Sequence, residues 1–166
     1  MLRVMTKKLN SMRLLEQHDI SYEAVTYGEA GAFHDAEEVA EMLGVPVSMV
    51  YKTLVVEAVG GKKPCLALIA SDRALDLKRF AAIMGAKKVA MMAHKDAERL
   101  TGLQVGGISA LALTHKNWPV YLDRLALENE HILVSAGQRG IQLRVPTAAL
   151  IKVVNAKIAD ISMDKA

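Results

Sequence analysis

Two apolar runs with a short glycine-bearing connection constrain this chain more than anything else in it. Val50 to Val59 and Cys65 to Ala70 are separated only by Gly60, Gly61, Lys62, Lys63 and Pro64. A connection that short has no room for a crossover, so the two runs are expected to pair as an antiparallel hairpin. Period-2 alternation puts Lys52 on one face with Val50, Leu54, Val56 and Ala58. An ammonium on so apolar a face is costly unless an anion meets it, or unless the side chain snorkels from a strand edge to water.

Around this hairpin the chain alternates helix and strand signals. A helix is expected from Lys7 to His18, with Leu9, Met12 and Leu15 on one face and Leu14 widening it. A short strand at Tyr22 to Tyr27 and a loop at Gly28 to Ala32 follow. Asp35 with Glu38 forms a capping-box pattern for a helix ended by Gly44, and Asp76 is a candidate N-cap for a helix ended by Gly85. Lys88 to Met92 reads as a strand and His94 to Thr101 as a helix closed by Gly102. Val120 to Asp123, Ile132 to Ser135 and Ile141 to Val145 read as strands. Pro146 and Thr147 open a last helix, and the tail is expected to fade after Ile161. Strands outnumber helices and several are joined by short loops, so the fold class is α/β, with a mixed, largely antiparallel sheet and helices packed outside. The 166 residues suit a single domain spanning 1–166.

Composition narrows the function classes. Hydrophobic residues make up 52% of the chain but aromatic ones only 4%, so the core must be built from aliphatic side chains and methionine. The one cysteine, Cys65, has no intrachain partner, which excludes an internal disulfide and a cysteine-rich zinc site and suits a reducing cytoplasm. No apolar run approaches the roughly 20 residues needed to span a bilayer, and no membrane partner is expected. The net charge of +3 comes from scattered basic pairs, which permit a phosphate-bearing partner without demanding one.

The familiar signatures of nucleotide, zinc and serine-nucleophile sites are absent, so no metal or cofactor is expected. The five histidines, His18, His34, His94, His115 and His131, show no ligand spacing and read as surface or capping residues. Two glycine-bearing segments stand out, Val105 to Leu111 (VGGISAL) and Val134 to Gly140 (VSAGQRG). Backbone amides freed by glycine can converge on an anion or an acyl oxygen. The plainer alternative is that Gly106 and Gly107 permit a tight bend, while Gly137 and Gly140 shape a hairpin with Arg139 exposed at its tip.

Taken in order, VYKTLVV, LDLKRFAAIMGAKKVAM, VGGISAL, VYLD, ILVSAGQRGIQL and ALIKVVNAKIADI resemble the YbaK/EbsC family over about Asn10 to Ser162. These are free-standing deacylases of mischarged tRNA, related to the editing domain of prolyl-tRNA synthetases. The resemblance implies a sheet curved around a pocket and wrapped by helices. It also implies hydrolysis of the ester at the aminoacyl-tRNA acceptor end, with Cys-tRNA(Pro) as first substrate and Ala-tRNA(Pro) as the alternative. A non-catalytic module that recognises the same nucleotide end is the rival of a different class. Prolyl-tRNA synthetase is implied as a partner for tRNA choice.

Residue by residue, Lys52 matches the family's lysine at the pocket mouth, which meets the terminal adenosine and its phosphate, and Tyr27 matches a tyrosine lining the site. Gly106, Gly107, Ile108, Ser109 and Ala110 match a loop whose backbone surrounds the aminoacyl group, with Ala110 standing where the pattern has proline. Gln142 stands where Cys-tRNA(Pro) deacylases carry aspartate. Gly137, Arg139 and Gly140 match a glycine-basic-glycine turn, read as architecture that can also contact the acceptor end. The implied mechanism needs no enzyme nucleophile: Lys52 and the loop amides position the ester, and water or a group of the substrate attacks.

Overall fold

A computed structural model describes residues 8–29, 31–61 and 63–166. Lys7, Ala30 and Lys62, which fall in the expected first helix, glycine loop and hairpin connection, lie outside the described residues. The hairpin forms from β2 (Tyr51–Ala58) and β3 (Cys65–Ala70), paired antiparallel from Tyr51 with Ala70 to Val56 with Cys65. Preceding it are α1 (Asn10–Gln17), β1 (Glu23–Thr26) and α2 (Ala36–Leu43). After it come β4 (Arg73–Leu75), α3 (Leu77–Met84), β5 (Val89–Met91), α4 (His94–Thr101), β6 (Val120–Asp123), β7 (His131–Ser135), β8 (Ile141–Pro146) and α5 (Thr147–Val153). The chain closes with β9 (Lys157–Ala159) and β10 (Ser162–Asp164).

The helix ends follow local chemistry. Asp35 and Glu38 make the reciprocal capping box at the start of α2, and Asp76 caps α3 through the Arg79 N–H. Gly44, Gly85 and Gly102 close α2, α3 and α4 in the left-handed conformation.

The strands divide into a five-stranded mixed sheet in the order β5-β2-β3-β6-β9, an antiparallel sheet β1-β8-β7, and the pair β10-β4. β6 lies parallel to both β3 and β9, and the remaining ladders are antiparallel. The expected sheet is therefore split, and its two larger parts touch through one parallel bridge, Val50 to Leu133. β3 is buried at every position, as its unbroken apolar run requires of a central strand covered on both faces. Leu66, Leu68 and Ala70 face a core shared with α1 and the inner face of β7 and β8, whereas Cys65, Ala67 and Ile69 pack with Phe80 of α3. A third cluster, with Tyr27, Val39, Val50 and Leu133, seats α2 against the smaller sheet.

The tail does not fade after Ile161. Asp123, fully buried, accepts hydrogen bonds from the Ile161 and Ser162 N–H groups at 3.0 and 3.2 Å and from Ser162 Oγ at 2.6 Å, which pins the start of β10. No helix among the described residues is long and apolar enough to cross a membrane.

Candidate active site

The split between the sheets leaves an opening along β2. β5 covers the outer edge of β2 only over Val56 to Ala58, and β7 meets it only at Val50. The Val50 carbonyl accepts from Ser71 on the β3 side and the Val55 carbonyl accepts from Met92 on the other. By alternation the amide and carbonyl of Thr53 lie on the open edge. A pocket of about 190 Å³ sits there, walled by the start of β2, the Phe33–Val39 segment, the Val105–Ile108 loop, and Ser135 and Gln142 from the smaller sheet.

Lys52 lines this pocket and is partly buried. Its Nζ donates to the Ser71 carbonyl over a long 3.4 Å, and among the described residues it has no ion pair. Burial pushes its ammonium below the ordinary lysine value. The Lys165 charge adds to this, and Glu37, Asp35 and Asp72 oppose it. The site thus holds a cation whose hydration is reduced and whose charge is not neutralised by direct contact.

At the floor, Ser135 and Gln142 are directly paired across β7 and β8, so their side chains leave the same face. Gln142 is only 5% exposed, and its Oε1 has no hydrogen-bond partner; Thr53 Oγ1 is likewise buried and unpartnered. Such a group costs about 1–3 kcal/mol while it stays unsatisfied, so these two oxygens favour a ligand that brings hydrogen-bond donors.

The small-residue loop is held by close approach. A Cβ on Gly107 would lie 3.0 Å from the Arg139 backbone nitrogen, and one on Gly106, whose φ is +91°, would lie 3.1 Å from the Phe33 ring. Arg139 is not free at a hairpin tip: its Nε donates to the Val105 carbonyl at 2.7 Å, and its guanidinium lies 5.3 Å from the centre of the Phe33 ring. It locks the turn at 137–140 onto the loop at 105–108. The Gly107 N–H donates to the Gln104 carbonyl at 2.7 Å and is therefore unavailable to a substrate. Gly106 and Ile108, which do line the pocket, show no backbone N–H partner among the described residues.

Of the residues singled out from the sequence, the structure brings Lys52, Gly106, Ile108 and Gln142 together in the pocket lining. Gly107, Ser109, Ala110, Gly137, Arg139 and Gly140 lie behind it as supports. Ser109 Oγ accepts from the Ala112 N–H, and the Gly137 N–H donates to Ser135 Oγ. Tyr27 is also a supporting residue rather than a lining one; its ring sits edge-on to His34 at 6.3 Å. His34 and His94, read as surface or capping residues, line the pocket, as do Phe33 and Thr53. Phe33 had one usable signal: it is one of two phenylalanines in the chain, placed in a polar loop, and it is 49% exposed. Cys65 is buried with its thiol pushed up to about 11, so it stays protonated and is no nucleophile. Among the described residues no cluster of three metal-ligating side chains occurs.

A family model described as the aminoacyl-tRNA editing domain matches residues 31–153, which hold every lining residue of the pocket. The chain belongs to the aminoacyl-tRNA editing domain family. EbsC of Enterococcus faecalis, named as a candidate Cys-tRNA(Pro)/Cys-tRNA(Cys) deacylase, is 38% identical over 157 residues, 94% of each chain. A proline–tRNA ligase of Solidesulfovibrio magneticus is 37% identical over 102 residues, 60% of this editing-domain chain and 17% of the ligase. Among solved structures, hypothetical protein APE2540 has the same fold with a TM-score of 0.82, 23% identity, and coverage of 91% of this chain and 97% of its own. A candidate trans-editing enzyme for prolyl-tRNA synthetase superposes with a TM-score of 0.76 at 21% identity, covering 97% of this chain and all of its own.

Proposed function

We propose that the protein hydrolyses mischarged aminoacyl-tRNA in trans, releasing the amino acid from the 3′ end, and that Cys-tRNA(Pro) is its preferred substrate. Residues 1–166 act in this reading as one deacylase domain working where tRNA is charged, in the cytoplasm. One observation carries it: a single pocket joins an uncompensated ammonium, Lys52, to a floor of unpartnered oxygens on Gln142 and Thr53.

A phosphate-bearing nucleotide end suits the first, and a small aminoacyl group with hydrogen-bond donors suits the second. Cysteine offers an ammonium and a thiol, two donors for two oxygens, where alanine offers only the ammonium. The pocket volume of about 190 Å³ accommodates a residue of this size. The similarity to EbsC supports the same choice, and the similarity to a proline–tRNA ligase supports a synthetase partner for tRNA selection.

Chemistry follows from positioning. Lys52 holds the anionic nucleotide end while the N–H groups of Gly106 and Ile108 stabilise charge developing on the ester carbonyl oxygen. Water attacks the carbonyl carbon, or the cysteinyl thiol does so to form a thiolactone that water then opens; the ribose oxygen departs with the proton of the attacking group, and the neighbouring ribose hydroxyl, whose own attack would only move the ester along the ribose, orients the water. Half-exposed Phe33, with Arg139 over its ring, offers a face on which an unpaired base can stack. A correcting enzyme is needed because a methylene difference is worth only about 1–3 kcal/mol in a synthetase pocket, so small amino acids are confused there.

The test is ester loss from purified Cys-tRNA(Pro), Ala-tRNA(Pro) and Pro-tRNA(Pro). Accelerated loss from the first, weaker from the second and none from the third is expected. Binding without acceleration on any of them would make the pocket a recognition module instead.

A further inference from the structure

The tail after Ile161, which the sequence pattern reads as fading, is fixed beside the candidate site by several contacts. Asp123 holds the start of β10 through three hydrogen bonds. β10 then runs antiparallel to β4, Ser162 against Leu75 and Asp164 against Arg73. Arg73 adds an Nε contact to Ser162 Oγ at 3.0 Å and an ion pair to Asp164 at 2.6 Å. β4 leaves the turn at Ser71 and Asp72, and the Ser71 carbonyl is the hydrogen-bond acceptor of Lys52. The tail therefore runs back along β4 toward the turn whose Ser71 carbonyl meets Lys52.

Its next residue, Lys165, forms an ion pair with Glu37 in the first turn of α2, whose neighbours Asp35 and Ala36 line the pocket. Both Lys165 and Glu37 retain solvent access, at 43% and 47% side-chain exposure, so this pair can open when a better anion arrives. The Lys165 charge is close enough to Lys52 to disfavour the latter's charged form. A second ammonium thus stands on the first turn of α2, beside the pocket that Lys52 lines, and only this second one has a carboxylate in contact. Such an arrangement is unfavourable in the free protein and favourable around an anion shared between them.

We propose that Lys165, delivered by β10, is the second arm of a phosphate clamp whose first arm is Lys52, and that the clamp holds a phosphodiester near the 3′ end of an RNA. On binding, Lys165 exchanges Glu37 for the phosphate. The inference rests on the nucleotide-end reading of the site and not on ester hydrolysis.

The test uses an uncharged RNA microhelix ending in CCA, and the same RNA with a neutral methylphosphonate at its last internucleotide linkage. Affinities are measured by fluorescence anisotropy for the full-length protein, Lys165→Ala, Lys165→Arg and Glu37→Gln. Lys165→Ala is expected to weaken binding of the natural microhelix about fivefold and to flatten its salt dependence by about 0.7 in the log–log slope, with Lys165→Arg near wild type. On the methylphosphonate RNA, wild type and Lys165→Ala should bind alike, since the arm no longer has a charge to grip. Glu37→Gln should bind as tightly as wild type or more tightly.

Equal losses for Lys165→Ala on both RNAs would overturn the clamp, as would no loss on either, or no binding of either RNA by wild type. A wild-type protein that shows this coupling yet deacylates no aminoacyl-tRNA would overturn the hydrolytic reading and leave the clamp standing.

Discussion

Asp123 and Lys52 are both charged residues taken out of bulk water, and they are treated in opposite ways. The Asp123 carboxylate is fully buried and receives three hydrogen bonds from the tail it anchors. Lys52 is only partly buried, yet the chain gives it one long contact to a carbonyl and no carboxylate. A charge satisfied from within is architecture, whereas one left short is matched to something outside the chain. The same division separates Ser162, whose hydroxyl is donated to Asp123, from Gln142 and Thr53, whose buried oxygens meet nothing.

Substitution at the two charges should give opposite phenotypes. Lys52→Ala should lower deacylation of Cys-tRNA(Pro) by about a hundredfold or more and leave the melting temperature unchanged or raised, because it removes a charge that is desolvated without a partner and that, in the proposed function, binds substrate. Asp123→Ala should do the reverse. It strands two buried N–H groups and a hydroxyl, so urea unfolding should show a loss of about 2–4 kcal/mol, while the folded fraction loses no more activity per molecule than the share, about fivefold, that depends on Lys165. Comparable stability losses in both variants would erase the distinction.

Gln142→Leu sharpens it at the pocket floor. Exchanging an amide whose buried oxygen is unpartnered for an apolar group of similar size should stabilise the fold by about 1 kcal/mol and lower deacylation about tenfold, a gain in stability set against a loss of function. Gln142→Asp with Ala110→Pro should instead sharpen the preference for cysteinyl over alanyl ester. The smallest effect belongs to Ala110→Pro alone. Ala110 has a φ of −62°, where a proline ring would hold it, so unfolding should show a gain of about 0.4–1 kcal/mol.

These contrasts also mark what could be read from the chain beforehand. Features set by near neighbours were legible: the Asp35–Glu38 capping box, the Asp76 cap, the closing glycines and the β2–β3 hairpin all depend on residues a few positions apart. β4, β9 and β10 are three residues each and exist only because a distant partner holds them, as Asp123 at the end of β6 holds Ser162 in the separate β10–β4 pair. β5, equally short, was legible from its apolar run, but no pattern announces these three. In the site, Lys52 stood out because it violates an apolar face, and the glycines because they allow close approach. Thr53 was hidden because its significance lies in an edge that β5 leaves uncovered, which is a property of the ladder rather than of the residue. Arg139 looked like a surface tip because its acceptor, the Val105 carbonyl, is 34 residues away.

The pH behaviour follows from the same imbalance. Burial and Lys165 hold the folded Lys52 value below that of the unfolded chain, so between the two values the unfolded state binds more protons and the stability attributable to Lys52 rises with pH. Activity that needs the ammonium should fall over that interval. Lys165→Ala should shift this alkaline limb upward.

The most direct measurement is an NMR titration of the Lys52 ε-amine in the free protein and with a CCA-ended microhelix bound. A partly desolvated cation held for an RNA end should titrate below an ordinary lysine when free and move upward when the RNA is bound. An ordinary value in the free protein, unchanged by the RNA, would contradict the account.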